Sequence, residues 1–140
     1  MAAKDIYHAP CVRALQKDGW TITHDPLTVG VGKTDLLIDL GAERMVAAER
    51  EGEKIAVEIK RFVKLSAVQD LKEAVGQFVL YAGALAESPE NAGRVLYLAI
   101  REETYEAVFE EASGQMLLRH THLPLIVFNT VREEITLWKK

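Results

Sequence analysis

The sequence has a single cysteine, Cys11, and no long uninterrupted apolar run. Without a second thiol, an internal disulfide framework is excluded. No segment combines a basic start, an apolar middle and a small-residue cleavage site, so a cytoplasmic protein is expected. Because no apolar run approaches the roughly 20 residues that a membrane-spanning helix needs, a membrane protein is not expected.

The sequence also lacks an excess of basic residues, with 17 Lys and Arg against 21 Asp and Glu and a net charge of −4. This balance argues against a protein whose main task is to coat nucleic acid. It does not exclude a catalytic site, because carboxylates that hold a metal ion add negative charge. With 140 residues, 49% of them hydrophobic, the chain 1–140 is predicted to form one domain with its own core.

The hydrophobic pattern predicts an α/β domain in which helices and strands alternate. Pro10 predicts a kink or a late start in the first helix, and Gly30, Gly32 and Lys33 predict a loop. The predicted helices cover 4–18, 66–87 and 102–111, and the predicted strands cover 20–23, 44–51, 54–60, 95–100, 125–128 and 134–138.

Glu58 and Lys60 lie two positions apart on a predicted strand and therefore project from the same face. A carboxylate beside an ammonium group suits phosphodiester hydrolysis, since the acid can hold a divalent ion that activates water. The ordinary alternative is an ion pair on a solvated strand face. Helices predicted before and after the strand indicate that both faces are covered, which favours a functional pair.

Gln77 and Tyr81 lie four positions apart on the helix that follows this strand, so they share one helix face. Taken separately, Tyr81 could be a core aromatic residue and Gln77 a solvated one. A strand with Glu-x-Lys followed by a helix with Gln-x-x-x-Tyr is a more specific pattern than either part alone.

The order of these elements resembles the PD-(D/E)xK nuclease superfamily, and the Gln-x-x-x-Tyr element resembles its RecB-like branch. The whole chain further resembles the XisH family, in four segments: Ala3-Lys4-Asp5-Ile6, residues 18–27, Asp39-Leu40-Gly41-Ala42-Glu43 and Ile55-Ala56-Val57-Glu58-Ile59-Lys60. The resemblance implies a restriction-endonuclease-like fold, with a mixed sheet flanked by helices. It also implies site residues at Asp39, Glu58, Lys60, Gln77 and Tyr81.

The resemblance implies control of the excision of the fdxN element, a DNA segment that a site-specific recombinase removes during heterocyst development in cyanobacteria. It implies DNA as the substrate, Mg²⁺ as the cofactor, a companion protein like XisI and a separate recombinase. Apolar strands near the C-terminus make self-association a further expectation. The competing hypothesis is a catalytically inactive nuclease fold that regulates excision through protein partners.

The superfamily pattern requires an acid before Glu58, and Asp39 and Glu43 both remain open as the upstream metal ligand. Asp39 follows Ile38 where the pattern has a proline. If Gly52 and Glu53 form a two-residue turn, residue 47 opposes Glu58, and a continuous strand leaves Asp39 roughly 25 Å away. Asp39 then requires a bend at Gly41, whereas Glu43 lies nearer. Glu49 is predicted to be a cross-strand partner or a surface charge, and its diagonal proximity to Glu58 leaves a role as a metal ligand as the lesser alternative.

Basic residues cluster close to the Glu-x-Lys strand, in contrast to the acidic chain as a whole. They are Lys60, Arg61, Lys64 and Lys72. Two interpretations have equal weight, phosphate contacts or a solvated entrance to the following helix.

Overall fold

The computed structural model describes residues 6–31, 34–36, 44–62 and 66–140 of the chain. Its strands are β1 (Thr21–His24), β2 (Val29–Val31), β3 (Thr34–Leu36), β4 (Arg44–Arg50), β5 (Glu53–Ile59), β6 (Val95–Arg101), β7 (Leu125–Asn129) and β8 (Glu134–Lys139). A six-stranded sheet has the order β1-β4-β5-β6-β7-β8, and β2 pairs with β3 in a separate hairpin. The β5–β6 and β6–β7 pairs are parallel and the others antiparallel.

The helices are α1 (His8–Lys17), α2 (Ala67–Glu87), α3 (Glu102–Thr104), which continues into a π-helical turn (Tyr105–Phe109), and α4 (Ala112–His120). Together with the sheet they confirm the predicted α/β class, a mixed sheet flanked by helices. The late start of α1 is also confirmed. Pro10 lies in the first turn, where its missing N–H would have had no intrahelical acceptor. The predicted strand 134–138 is confirmed as an edge strand.

Helix α2 begins where its capping sequence predicts. Ser66 is the N-cap, and its hydroxyl accepts a hydrogen bond from the backbone N–H of Gln69 at 3.3 Å. This bond satisfies one of the backbone donors that a helix start leaves without an acceptor. The helix ends at Glu87, before Ser88 and Pro89. The start of α2 along the chain is therefore set by a local signal.

The β4–β5 hairpin turns one residue earlier than predicted. Glu51 and Gly52 occupy the turn, with φ angles of 50° and 84°, and Met45 lies opposite Glu58 in place of residue 47. Two consecutive positive φ angles match the right-handed twist of the flanking strands. The register moves by two residues along β4, so each side chain keeps its predicted face. Glu49 lies opposite Lys54, as its predicted cross-strand role requires.

Two other segments differ from the prediction. Gly30, expected in a loop, lies in β2, where the neighbouring Val29 is only 3% exposed and burial favours the strand. Helix α4 was not predicted, and it contains Gly114. In the structure that glycine allows a close backbone contact with the π-helical turn.

The sheet carries a core layer on each face. On the α2 side, Leu71, Ala74, Phe78 and Tyr81 pack with Ala56 and Leu98, among others. On the α1 side, Cys11, Ala14 and Leu15 pack with Val57 and Ile59, among others. Strand β5 is therefore covered on both faces. Of the residues described, no helix has the length and apolar character needed to cross a membrane.

Two helix glycines give a test of this packing. Gly114→Ala would place a methyl group 2.6 Å from Phe109 Cα, so we expect a loss of about 1–3 kcal/mol of unfolding free energy. Gly83→Ala in α2 meets nothing within 4 Å and should gain about 1 kcal/mol from helix propensity. Urea unfolding measures both, and equal signs for the two variants would contradict the packing described.

Candidate functional site

Glu58 occupies the centre of the sheet. On β5 it lies opposite Met45 of the antiparallel β4 and Leu98 of the parallel β6. Its side chain is 0% exposed. Ala56, two residues earlier on the same face, packs in the core with α2, so the Glu58 carboxylate lies between the sheet and that helix layer.

Lys60 follows on the same face at the carboxyl end of the strand. Its backbone N–H donates to the Ala99 carbonyl at 3.0 Å, which extends the ladder with β6 by one residue. The side chain is 5% exposed, and Nζ donates a hydrogen bond to Oε1 of Gln77 at 3.1 Å. The structure thus brings Lys60 and Gln77 together, and Gln77 is half-buried.

Tyr81 lies one helical turn beyond Gln77 on α2. It is 4% exposed and packs within the α2-side core, in agreement with the core-aromatic interpretation of its ring. Glu58, Lys60, Gln77 and Tyr81 therefore all belong to the interface between β5 and α2.

The two upstream acids, Asp39 and Glu43, lie outside the described residues, as does Lys64. Within the described ranges, no group of three His, Cys, Asp or Glu side chains is arranged to hold a metal ion. Glu49 is engaged elsewhere, with its carboxylate 4.0 Å from Lys54 Nζ and 3.9 Å from an Arg94 guanidinium nitrogen.

Two arginines and a tyrosine form a group at the carboxyl ends of β5 and β6, on the face opposite to Lys60. The sequence did not predict this group. The guanidinium carbons of Arg101 and Arg61 lie 4.2 and 5.8 Å from the centre of the Tyr7 ring. Arg61 was predicted only as part of a basic cluster. Aligning the carboxyl ends of the two parallel strands β5 and β6 would have placed Arg101 near Arg61. No feature of the sequence identifies Tyr7 as part of this group.

The XisH family model, described as XisH protein, matches residues 1–136 of the chain. The chain belongs to the XisH family. A search of curated proteins gives no match. The match to the XisH model confirms the family membership predicted from the sequence.

Two crystal structures from this family are similar over nearly the whole chain. An XisH family protein from Nostoc punctiforme PCC 73102 is 39% identical, with a TM-score of 0.86, covering 97% of this chain and 100% of that one. A fdxN element excision controlling factor protein from Anabaena variabilis is 38% identical, with a TM-score of 0.85, covering 98% and 100%. The fold that holds Glu58 and Lys60 is therefore shared within the XisH family.

The burial of Glu58 makes the site testable without any functional assay. Lys60→Met removes a cation two residues along the same strand face from a carboxylate that is 0% exposed, so we expect a loss of about 3 kcal/mol of unfolding free energy. Glu58→Gln in the same chain should recover most of the loss, because the buried charge is then gone. Lys54→Met, which removes an exposed cation from the same strand, should change stability by less than about 0.5 kcal/mol. A Lys60→Met variant as stable as Lys54→Met would contradict the coupling.

Proposed function

We propose that this chain controls the excision of a DNA element of the fdxN type, through a Mg²⁺-dependent, endonuclease-like site built on Glu58 and Lys60. The excision role is supported by 38% identity and a TM-score of 0.85 to the excision controlling factor protein from Anabaena variabilis. The nuclease-like site is supported by the arrangement of the polar residues between β5 and α2.

One observation carries the catalytic part of the proposal, the burial of Glu58 and Lys60 on a strand covered on both faces. A buried ionic group costs free energy unless it is paired or coordinates a metal ion, and apolar residues of similar size would be at least as stable there. An ion pair with only a structural role could instead lie on a solvated strand face, where it would not lose its hydration. Retaining these groups in the core fits a chemical task at this end of the strand.

The donor chemistry present fits Mg²⁺ in part, since the ion prefers oxygen ligands and Glu58 supplies a carboxylate. Glu58 together with Asp39 or Glu43 would hold the ion, which supplies a Lewis acid and a more acidic bound water. The Lys60 ammonium would neutralise charge that develops on the phosphate. Gln77 holds Lys60 Nζ in place, and Tyr81 fixes the turn of α2 from which Gln77 projects.

The same family relationship supports the proposed partners. They are DNA, a companion protein like XisI and a separate site-specific recombinase that performs strand exchange. Self-association is a further proposal, for which β8 offers an edge strand with Leu137 37% exposed.

A catalytically inactive nuclease fold that works through protein partners is the second candidate function. One observation favours it. The Anabaena variabilis protein is named a controlling factor, a name that states no cleavage.

Cleavage assays separate the two functions. We expect the purified protein, alone or with its companion, to cut plasmid, linear or branched DNA in Mg²⁺ and not in EDTA. Glu58→Ala and Lys60→Ala should each lower the rate by a factor of about 100 or more, because Glu58→Ala removes a ligand of the metal ion and Lys60→Ala removes a cation that neutralises charge on the reacting phosphate. Asp39→Ala and Glu43→Ala then identify the upstream ligand, since only the true ligand should show an equal loss.

The matched controls are Glu53→Ala and Lys54→Ala, an exposed acid and base at the start of the same strand. Both should keep the cleavage rate of the unaltered protein. Cleavage that survives Glu58→Ala would come from another nuclease. If no DNA is cut under any of these conditions, the regulatory function replaces the catalytic one.

A further inference from the structure

We propose that Arg61 and Arg101, here called the arginine pair, bind the phosphodiester backbone of nucleic acid. They lie on the α1 side of the sheet, at the carboxyl ends of β5 and β6. This inference rests on the proposed function in one respect, that the protein acts on DNA. It adds a binding site on the face opposite to the one that carries Glu58 and Lys60.

The strand register brings the arginine pair together. Ile59 of β5 is level with Ala99 of the parallel β6, so Arg61 and Arg101, each two residues further, leave the sheet at the same height and on the same face. Ile59 and Ala99 both belong to the α1-side core, which identifies that face. Tyr7, just before α1, lies within 4.2 Å of one guanidinium carbon and 5.8 Å of the other.

The charge of the arginine pair is poorly neutralised. Nε of Arg61 is buried without a hydrogen-bond partner, and no ion pair joins Arg61 to a carboxylate within the described ranges. Among the described residues, the carboxylate that pairs with Arg101 is that of Glu103, at 4.0 Å, and it is 64% exposed and screened by solvent. Glu102 instead accepts a hydrogen bond from Asn129 Nδ2 at 2.5 Å. Because acidic residues outnumber basic ones in this chain, two neighbouring arginines with so little neutralisation do not follow from its overall composition.

The geometry suits an anion with several oxygen atoms. A guanidinium group held over an aromatic ring keeps its edge N–H donors available, and those donors match phosphate oxygens in a bidentate fork. Two such groups around one tyrosine ring can bracket a single phosphate.

The position beside the candidate site favours nucleic acid over an acidic protein. Arg61 follows Lys60 directly, and consecutive Cα atoms are about 3.8 Å apart. Lys60 faces α2, while Arg61 faces α1. A phosphodiester chain that crosses the carboxyl ends of β5 and β6 would therefore contact the arginine pair and bring its next phosphate towards Lys60. An isolated carboxylate of a partner protein would use only one side of the edge.

The test is the salt dependence of DNA binding, by fluorescence anisotropy with a duplex of about 30 base pairs and with its single strand. Titrations run at several KCl concentrations, in EDTA and in Ca²⁺. We expect Arg61→Gln and Arg101→Gln each to weaken binding about tenfold. Each should also lower the slope of log K against log salt by about 1, since one counterion-releasing contact is lost. The double variant should lower the slope by about 2.

Arg50→Gln is the matched control. The guanidinium carbon of Arg50 lies 4.4 Å from the Trp20 ring centre, at the opposite end of the strands, where β4 turns into β5. This variant loses the same charge and the same kind of ring contact, yet affinity and slope should not change. Arg61→Lys with Arg101→Lys keeps both charges and should restore the slope. Urea unfolding of every variant shows that the folded protein is the species measured.

The outcomes separate this inference from the proposed function. If the unaltered protein binds neither DNA form, both are overturned. If it binds and the double Gln variant matches it in affinity and slope, the arginine pair alone is overturned. An equal loss in Arg50→Gln would show a general charge effect and overturn the pair. The arginine pair would also be overturned if the Arg61→Gln and Arg101→Gln double variant kept DNA binding but lost binding to the companion protein.

Discussion

Coverage of β5 on both faces is the constraint on which the rest of the molecule depends. The strand lies between an antiparallel neighbour and a parallel one, and helices α1 and α2 cover its two faces. From Ile55 to Lys60 every side chain is buried, whatever its chemistry. Polar groups in that stretch must find partners within the protein or in a ligand, because water is excluded. The hydrogen bond from Lys60 to Gln77 is one such partnership.

Local chemistry explains how much of the fold could be predicted from the sequence. The Ser66 cap and the apolar spacing of α2 act within a few residues, so their positions follow directly from the chain. The hairpin turn could be located only to within one residue, because Glu51 carries no sign that it adopts a positive φ angle. Gly114 is harder still. Its lack of a side chain matters through a contact with Phe109, which depends on tertiary packing.

The candidate site divides in the same way. Strand and helix periodicity place Glu58 with Lys60 and Gln77 with Tyr81, so their common interface could be predicted from spacing. The arginine pair depends on which strands are neighbours and in what register, and 40 residues of sequence separate its members. Neither Asp39 nor Glu43 falls within the described residues, so the choice between them depends on the proposed substitutions.

Charged groups on the two faces at the carboxyl end of β5 differ in the free energy that their burial costs. This difference bears on the choice between the catalytic and the regulatory function. An arginine pair near the surface serves any protein that holds DNA, whether or not it cuts, and guanidinium groups stacked on a ring need little desolvation. Burying Glu58 completely is more costly, and DNA binding gains nothing from a carboxylate that would repel phosphate. A purely regulatory fold would be stabilised by replacing it with an apolar residue. This cost favours the proposed site, in which Glu58 would hold a cation, over the purely regulatory function.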